Sequence, residues 1–192
     1  MVGIVFSSKL TIIILGSCLF AFPDVVHSGS AETFSGTPGD DSFNGTPEDD
    51  RIRGSGGNDT LIGNAGNDSI DGGQGNDYLA GSGGDDYIAG GGRNDSILGE
   101  EGDDEIQGDE GDDAIDGGNG TDLITGGLGS DSLVGSEGND VLYGGPNDDT
   151  LAGGKGADFF GCGLGKDVVP DLNASEGDIN DSNCETTNMA IS

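Results

Sequence analysis

From Asp41 to Asp167 an aspartate recurs every nine residues, with no insertion or deletion. The series is Asp41, Asp50, Asp59, Asp68, Asp77, Asp86, Asp95, Asp104, Asp113, Asp122, Asp131, Asp140, Asp149, Asp158 and Asp167. Two residues after each stands an apolar side chain: Phe43, Ile52, Leu61, Ile70, Leu79, Ile88, Ile97, Ile106, Ile115, Ile124, Leu133, Leu142, Leu151, Phe160 and Val169. A unit of nine residues is too small to bury a face by itself. Units this regular must stack on one another, and the fifteen copies from Gly36 to Pro170 define a solenoid.

Numbered within the unit, the aspartate is sixth and the apolar residue eighth. The first position is Gly in 14 copies, with Cys162 the exception, and the fourth is Gly in 12, the exceptions being Glu48, Arg93 and Asn147. The second is Gly in only seven. Glycine permits φ > 0, which residues with a Cβ resist. Gly54, Gly57, Gly63, Gly66, Gly72, Gly75, Gly81, Gly84, Gly117, Gly120, Gly126 and Gly129 are therefore expected to form sharp turns. The last three positions read as a short strand, with the eighth residue inward and the seventh and ninth outward.

Well-formed copies are Gly72-Gly73-Gln74-Gly75-Asn76-Asp77-Tyr78-Leu79-Ala80 and Gly117-Gly118-Asn119-Gly120-Thr121-Asp122-Leu123-Ile124-Thr125. They resemble the GGxGxDxUx nonapeptide of RTX, or haemolysin-type, calcium-binding proteins. That resemblance implies an all-β fold, a right-handed parallel β-roll solenoid with two nonapeptide repeats per coil. Odd repeats would form one sheet and even repeats the other. Each turn would bind Ca²⁺ jointly with the turn 18 residues away, for example Asp59 with Asp77, or Asp68 with Asp86. Fifteen turns then allow up to about 13 ions.

The residue types fit that ion. A bent glycine turn aims several carbonyl oxygens at one centre, and the sixth-position aspartate adds a charged oxygen. Ca²⁺ takes six to eight oxygen ligands at roughly 2.3–2.6 Å, whereas Mg²⁺ keeps its waters. No thiol or imidazole recurs in the series, which disfavours zinc, copper and iron. All fifteen sixth-position aspartates are candidate ligands. The acidic fifth positions Asp40, Asp85, Asp103, Asp112 and Asp148 are missing from many copies and read as solvating charge.

Composition explains why a cation is needed. Asp and Glu number 37 against 6 Lys and Arg, a formal charge of -31. Leu, Ile, Val and Phe supply only 28 of the 164 residues from Gly29 onward, a combination that usually leaves a chain disordered. The expectation is a chain disordered without calcium that folds on binding it. So acidic a surface also repels phosphates and anionic lipid headgroups, which disfavours nucleic acid and membrane surfaces as partners.

Residues 1–28 differ from the rest. Lys9 precedes the apolar run Leu10 to Phe22, too short for a membrane span but suited to a secretory signal peptide cleaved between Ser28 and Ala31. Leu15-Gly16-Ser17-Cys18 also resembles a lipobox, which leaves a lipoprotein signal as an alternative. Residues 29–35 read as a short linker.

Beyond Pro170 the pattern stops, and 171–192 reads as a polar C-terminal cap or tail. Two cysteines remain in an exported chain, so a Cys162–Cys184 disulfide is expected to pin the cap. A reactive thiol pair and metal ligation are the alternatives.

Function follows by exclusion. Outside the repeats there is no HExxH or GxSxG motif, and the flanking segments are too short to hold an active site. The expectation is a non-enzymatic, secreted or cell-surface calcium-binding protein with an envelope, matrix or adhesive role. The alternative is a calcium-dependent folding or secretion module derived from a larger exoprotein. Ice binding needs a flat row of threonines, and the third positions supply none. Ninth positions Ile62, Ala80, Leu98, Val134 and Ala152 form a mild apolar row that could serve self-association or docking to a surface component.

Overall fold

A computed structural model describes residues 11–13 and 31–186. The short strands β1 (Thr11–Ile13), β2 (Thr33–Ser35) and β3 (Ser42–Asn44) come first. Thirteen six-residue strands follow, from β4 (Arg51–Gly56) to β16 (Phe159–Leu164). Three two-residue strands close the series: β17 (Val168–Val169), β18 (Ile179–Asn180) and β19 (Glu185–Thr186). β1 and the even-numbered strands make a ten-stranded sheet, and the remaining odd-numbered strands make a nine-stranded one. Every pairing is parallel, and through the repeats the register is 18 residues, as in Ile52↔Ile70 and Ile70↔Ile88. The architecture is therefore the parallel β-solenoid expected, of about eight turns with two nonapeptides per turn.

Each of the strands β4 to β16 is twice as long as the sequence pattern suggests. It takes the seventh to ninth positions of one unit and continues through the first three of the next, as in Thr60-Leu61-Ile62-Gly63-Asn64-Ala65. Alternation explains this: Leu61 and Gly63 both face inward and are buried, two residues apart.

The core is a file of eighth-position side chains from each sheet, packed between the two and nearly all without solvent exposure. Fully burying an Ile or Leu side chain contributes about 1.5–3 kcal/mol. Each file is one residue wide, so this apolar gain is spread thinly over a long chain that must be ordered. Aromatic rings lie toward both ends of the core. Phe34 and Phe43 lie 5.5 Å apart at the first. Phe160 lies near the last, where Leu172 and Cys184 pack against the core.

Two expectations need correction. The stretch read as a linker, 29–35, contains β2, and its Phe34 belongs to the core. The coil does not stop at Pro170: Phe159 pairs with Ile179 and Val168 with Glu185, so one further coil forms with spacings altered to 20 and 17 residues. Changed spacing hid it from a search at period nine. Of the segment read as a signal peptide, only Thr11–Ile13 is described, paired with β2; the remainder lies outside the described residues. The expected disulfide is present between Cys162 and Cys184, whose Cα atoms are 5.3 Å apart. It ties β16 to the final coil.

Candidate metal centre

The sixth-position aspartates stack in two files, one along each row of turns. Asp50 through Asp167 are all buried, at 0–4% exposure, and Asp41 at the open end is half-buried. Each side chain turns back toward the preceding coil. From Asp59 onward Oδ1 accepts the N–H of the aspartate 18 residues earlier, as Asp59 does from Asp41 (2.7 Å) and Asp113 from Asp95 (2.8 Å), and Asp50 Oδ1 accepts from Glu32 N–H (2.6 Å). The series continues past the last regular repeat, where Asp178 accepts from Asp158 at 3.1 Å. Asp178 thus stands as a further rung that the nine-residue count did not reach.

A second ladder runs the other way. Fifth-position Asn and Asp side chains accept the fifth-position N–H of the following coil. Asp40 accepts from Asn58 (2.8 Å), Asn58 from Asn76 (3.0 Å), Asp85 from Asp103 (3.0 Å), Asp103 from Thr121 (2.8 Å), Asp112 from Ser130 (2.9 Å) and Asp148 from Lys166 (2.9 Å). Reading these acids as mere solvating charge was therefore wrong. They bind coil to coil, and Asn serves equally because the bond needs only a carbonyl-type oxygen. That interchange of Asp and Asn was the overlooked signal.

The second carboxylate oxygen is different. Oδ2 of Asp59, Asp68, Asp77, Asp86, Asp95, Asp104, Asp113, Asp122, Asp131, Asp140, Asp149, Asp158 and Asp167 is buried and has no hydrogen-bond donor. Leaving such a group bare costs on the order of 1–3 kcal/mol, more if charged. Burial pushes the carboxyl pKa up, against the lowering effect of the backbone N–H bond. Asp86, Asp95 and Asp122 reach about 7, while Asp59, Asp68, Asp113, Asp140 and Asp149 reach about 6. Like-charged aspartates on neighbouring coils add to the shift. A divalent cation at Oδ2 would relieve both the missing partner and the repulsion.

The glycines frame that oxygen. First-position glycines are not left-handed, contrary to the expectation for Gly54, Gly63, Gly72, Gly81, Gly117 and Gly126. They are needed for space: a Cβ on Gly54 would lie 2.1 Å from Asp59 Oδ2 and 2.5 Å from the Gly72 carbonyl oxygen. The empty Cβ position leaves a carboxylate oxygen and a carbonyl oxygen of the next coil facing one pocket, a donor set for a hard cation. The fourth-position glycines do bend the chain: Gly57, Gly66, Gly75, Gly84, Gly120 and Gly129 all have φ between 102 and 143°.

The comparisons agree with this geometry. The RTX calcium-binding nonapeptide repeat matches five stretches, residues 28–61, 35–70, 53–88, 89–124 and 125–160, which together cover more than half of the chain. No curated protein matches it. Stacked aspartates between turns, glycine-framed oxygens and the matched repeats converge: the chain belongs to the family of RTX haemolysin-type calcium-binding nonapeptide-repeat proteins.

Proposed function

We propose that this protein is a secreted or cell-surface calcium-binding rod that folds as ions enter its turns and serves an envelope, matrix or adhesive role rather than a catalytic one. The observation that carries the reading is the file of buried carboxylate oxygens without donors. In a chain of net charge -31 with a thin apolar core, those oxygens oppose folding unless a cation meets them. The sixth-position aspartates supply the charged ligands, backbone carbonyls such as that of Gly72 supply the neutral ones, and up to about 13 ions are held. Calcium at each turn then links two coils, coupling folding to binding. RTX repeats are typical of secreted proteins, which supports an extracellular setting, where calcium at about 10⁻⁴–10⁻³ M suits such modules.

Circular dichroism during a calcium titration of the chelated chain tests the reading. The β signal should rise cooperatively with calcium and collapse with EGTA. A β signal already complete in EGTA, with no metal retained on equilibrium dialysis, would refute it. Capture of surface components with and without chelator then addresses the proposed adhesive role.

A further inference from the structure

The nonapeptide turns are not equivalent. In the thirteen from Asp59 to Asp167, Oδ2 has no donor. In the first two it has a pair of donors from one threonine. Asp41 Oδ2 accepts from Thr37 N–H (2.6 Å) and Thr37 Oγ1–H (3.0 Å). Asp50 Oδ2 accepts from Thr46 N–H (2.6 Å) and Thr46 Oγ1–H (3.0 Å).

The backbone divides at the same place. In all thirteen donor-free turns the second-position residue is left-handed, whatever its type: Ser55 (φ 83°), Asn64 (82°), Glu100 (78°) and Gly145 (116°) are examples. Thr37 and Thr46, the second-position residues of the first two turns, are not left-handed. A β-branched side chain strongly resists that region, and a following proline pushes its predecessor toward extended angles. Both conditions meet in Thr37-Pro38 and Thr46-Pro47. Proline alone does not suffice: Pro146 follows a left-handed Gly145, and Asp149 Oδ2 in that turn has no donor. The opposite end uses a different donor for the same purpose, Asn173 N–H to Asp178 Oδ2 at 2.7 Å.

We propose that these bonds delimit the calcium array: Asp41, Asp50 and Asp178 sit in metal-free end turns, closed by Thr37, Thr46 and the Asn173 amide, and the ions belong to the turns from Asp59 to Asp167. The proposal rests on the reading that the interior aspartates hold calcium. Two donors on Oδ2 occupy the oxygen that an ion would need and partly neutralise its charge. Within the regular repeats the second-position residue is therefore the determinant of whether a turn takes an ion.

The test counts bound calcium per full-length chain by equilibrium dialysis with atomic absorption, at saturating calcium. Asp50→Asn should leave the count unchanged, while Asp77→Asn loses at least one ion. Thr46→Gly with Pro47→Gly should gain one ion, and adding Asp50→Asn to that variant should remove it again. Hydrogen exchange of the interior strands verifies that each variant is folded. A wild-type chain that binds no calcium overturns the calcium reading and this proposal together. A wild type that binds calcium but loses as many ions with Asp50→Asn as with Asp77→Asn overturns this proposal alone. So does an unchanged count in the Thr46→Gly/Pro47→Gly variant.

Discussion

Asp104 Oδ1 accepts the backbone N–H of Asp86, one coil earlier, at 2.8 Å, while Asp104 Oδ2 has no donor. One side chain thus performs two separable tasks. One oxygen bonds to the previous coil, and the other awaits positive charge.

Substitution separates the tasks. Asp104→Asn keeps an acceptor for Asp86 N–H but loses the charge, so it should raise the calcium concentration needed for folding. Asp104→Ala also strands the buried Asp86 N–H, adding about 1–3 kcal/mol of destabilisation. Calcium-dependent folding midpoints and urea melts in saturating calcium measure the two effects. Equal behaviour of the two variants in both assays would argue against the division of labour.

Acid should partly replace calcium. The buried carboxyls of Asp86, Asp95 and Asp122 titrate near pH 7 in the fold, above the ordinary aspartate value of 3.8, because burial disfavours their charge. Between those values the metal-free fold binds protons that the unfolded chain does not. Its stability therefore rises as pH falls through 7, and is lost as pH climbs back through the folded values. In EGTA, lowering pH from 8 to 5 should increase the β signal. With calcium present, the same change should raise the calcium midpoint, since protons and ions compete for one oxygen. An EGTA-treated chain equally unstructured at both pH values would contradict this.

Arg93 occupies a fourth position with φ 81°, where most copies have glycine. Left-handed geometry costs a residue with a Cβ roughly 1–2 kcal/mol. Arg93→Gly should stabilise the calcium-loaded rod by about 1 kcal/mol, less the added entropy of the unfolded chain. Thermal melts at fixed calcium check the sign; a lower melting temperature would show that the arginine side chain contributes more than its backbone strain costs.

Reduction should act locally. The Cys162–Cys184 link closes a short loop, worth about 3 kcal/mol in the chain-entropy account. With dithiothreitol, or in Cys184→Ser, amide exchange should accelerate at 171–186 while strands around Ile97 stay protected. Loss of protection throughout would mean that the last coil controls the whole rod.

Most of the architecture was legible because the period is short and unbroken. An apolar eighth-position residue in every copy marks the inward face, and the resemblance to RTX repeats supplied the 18-residue register. What escaped lay where residue type and role part company. The first-position glycines are needed to avoid Asp Oδ2 rather than to bend the chain, and a glycine looks the same for either purpose. The Asp40 and Asn58 rungs share an oxygen but not a charge, so a search for acids divided one ladder into fragments. Asp178 was displaced by two residues. The Thr-Pro pair, repeated at 37–38 and 46–47, was visible, but its meaning depends on a φ angle that no residue count contains.

A stack of like coils has no natural length, since every exposed strand edge is a template for the next. In this chain the final coil departs from the others. Its strands β18 and β19 are two residues each, its spacings are 20 and 17, and a covalent bond holds it against β16. Among the described residues, that coil offers a second molecule arriving end-on no run of six to pair with. The irregular coil thereby blunts one edge of a design that repetition alone would leave open to fibre growth.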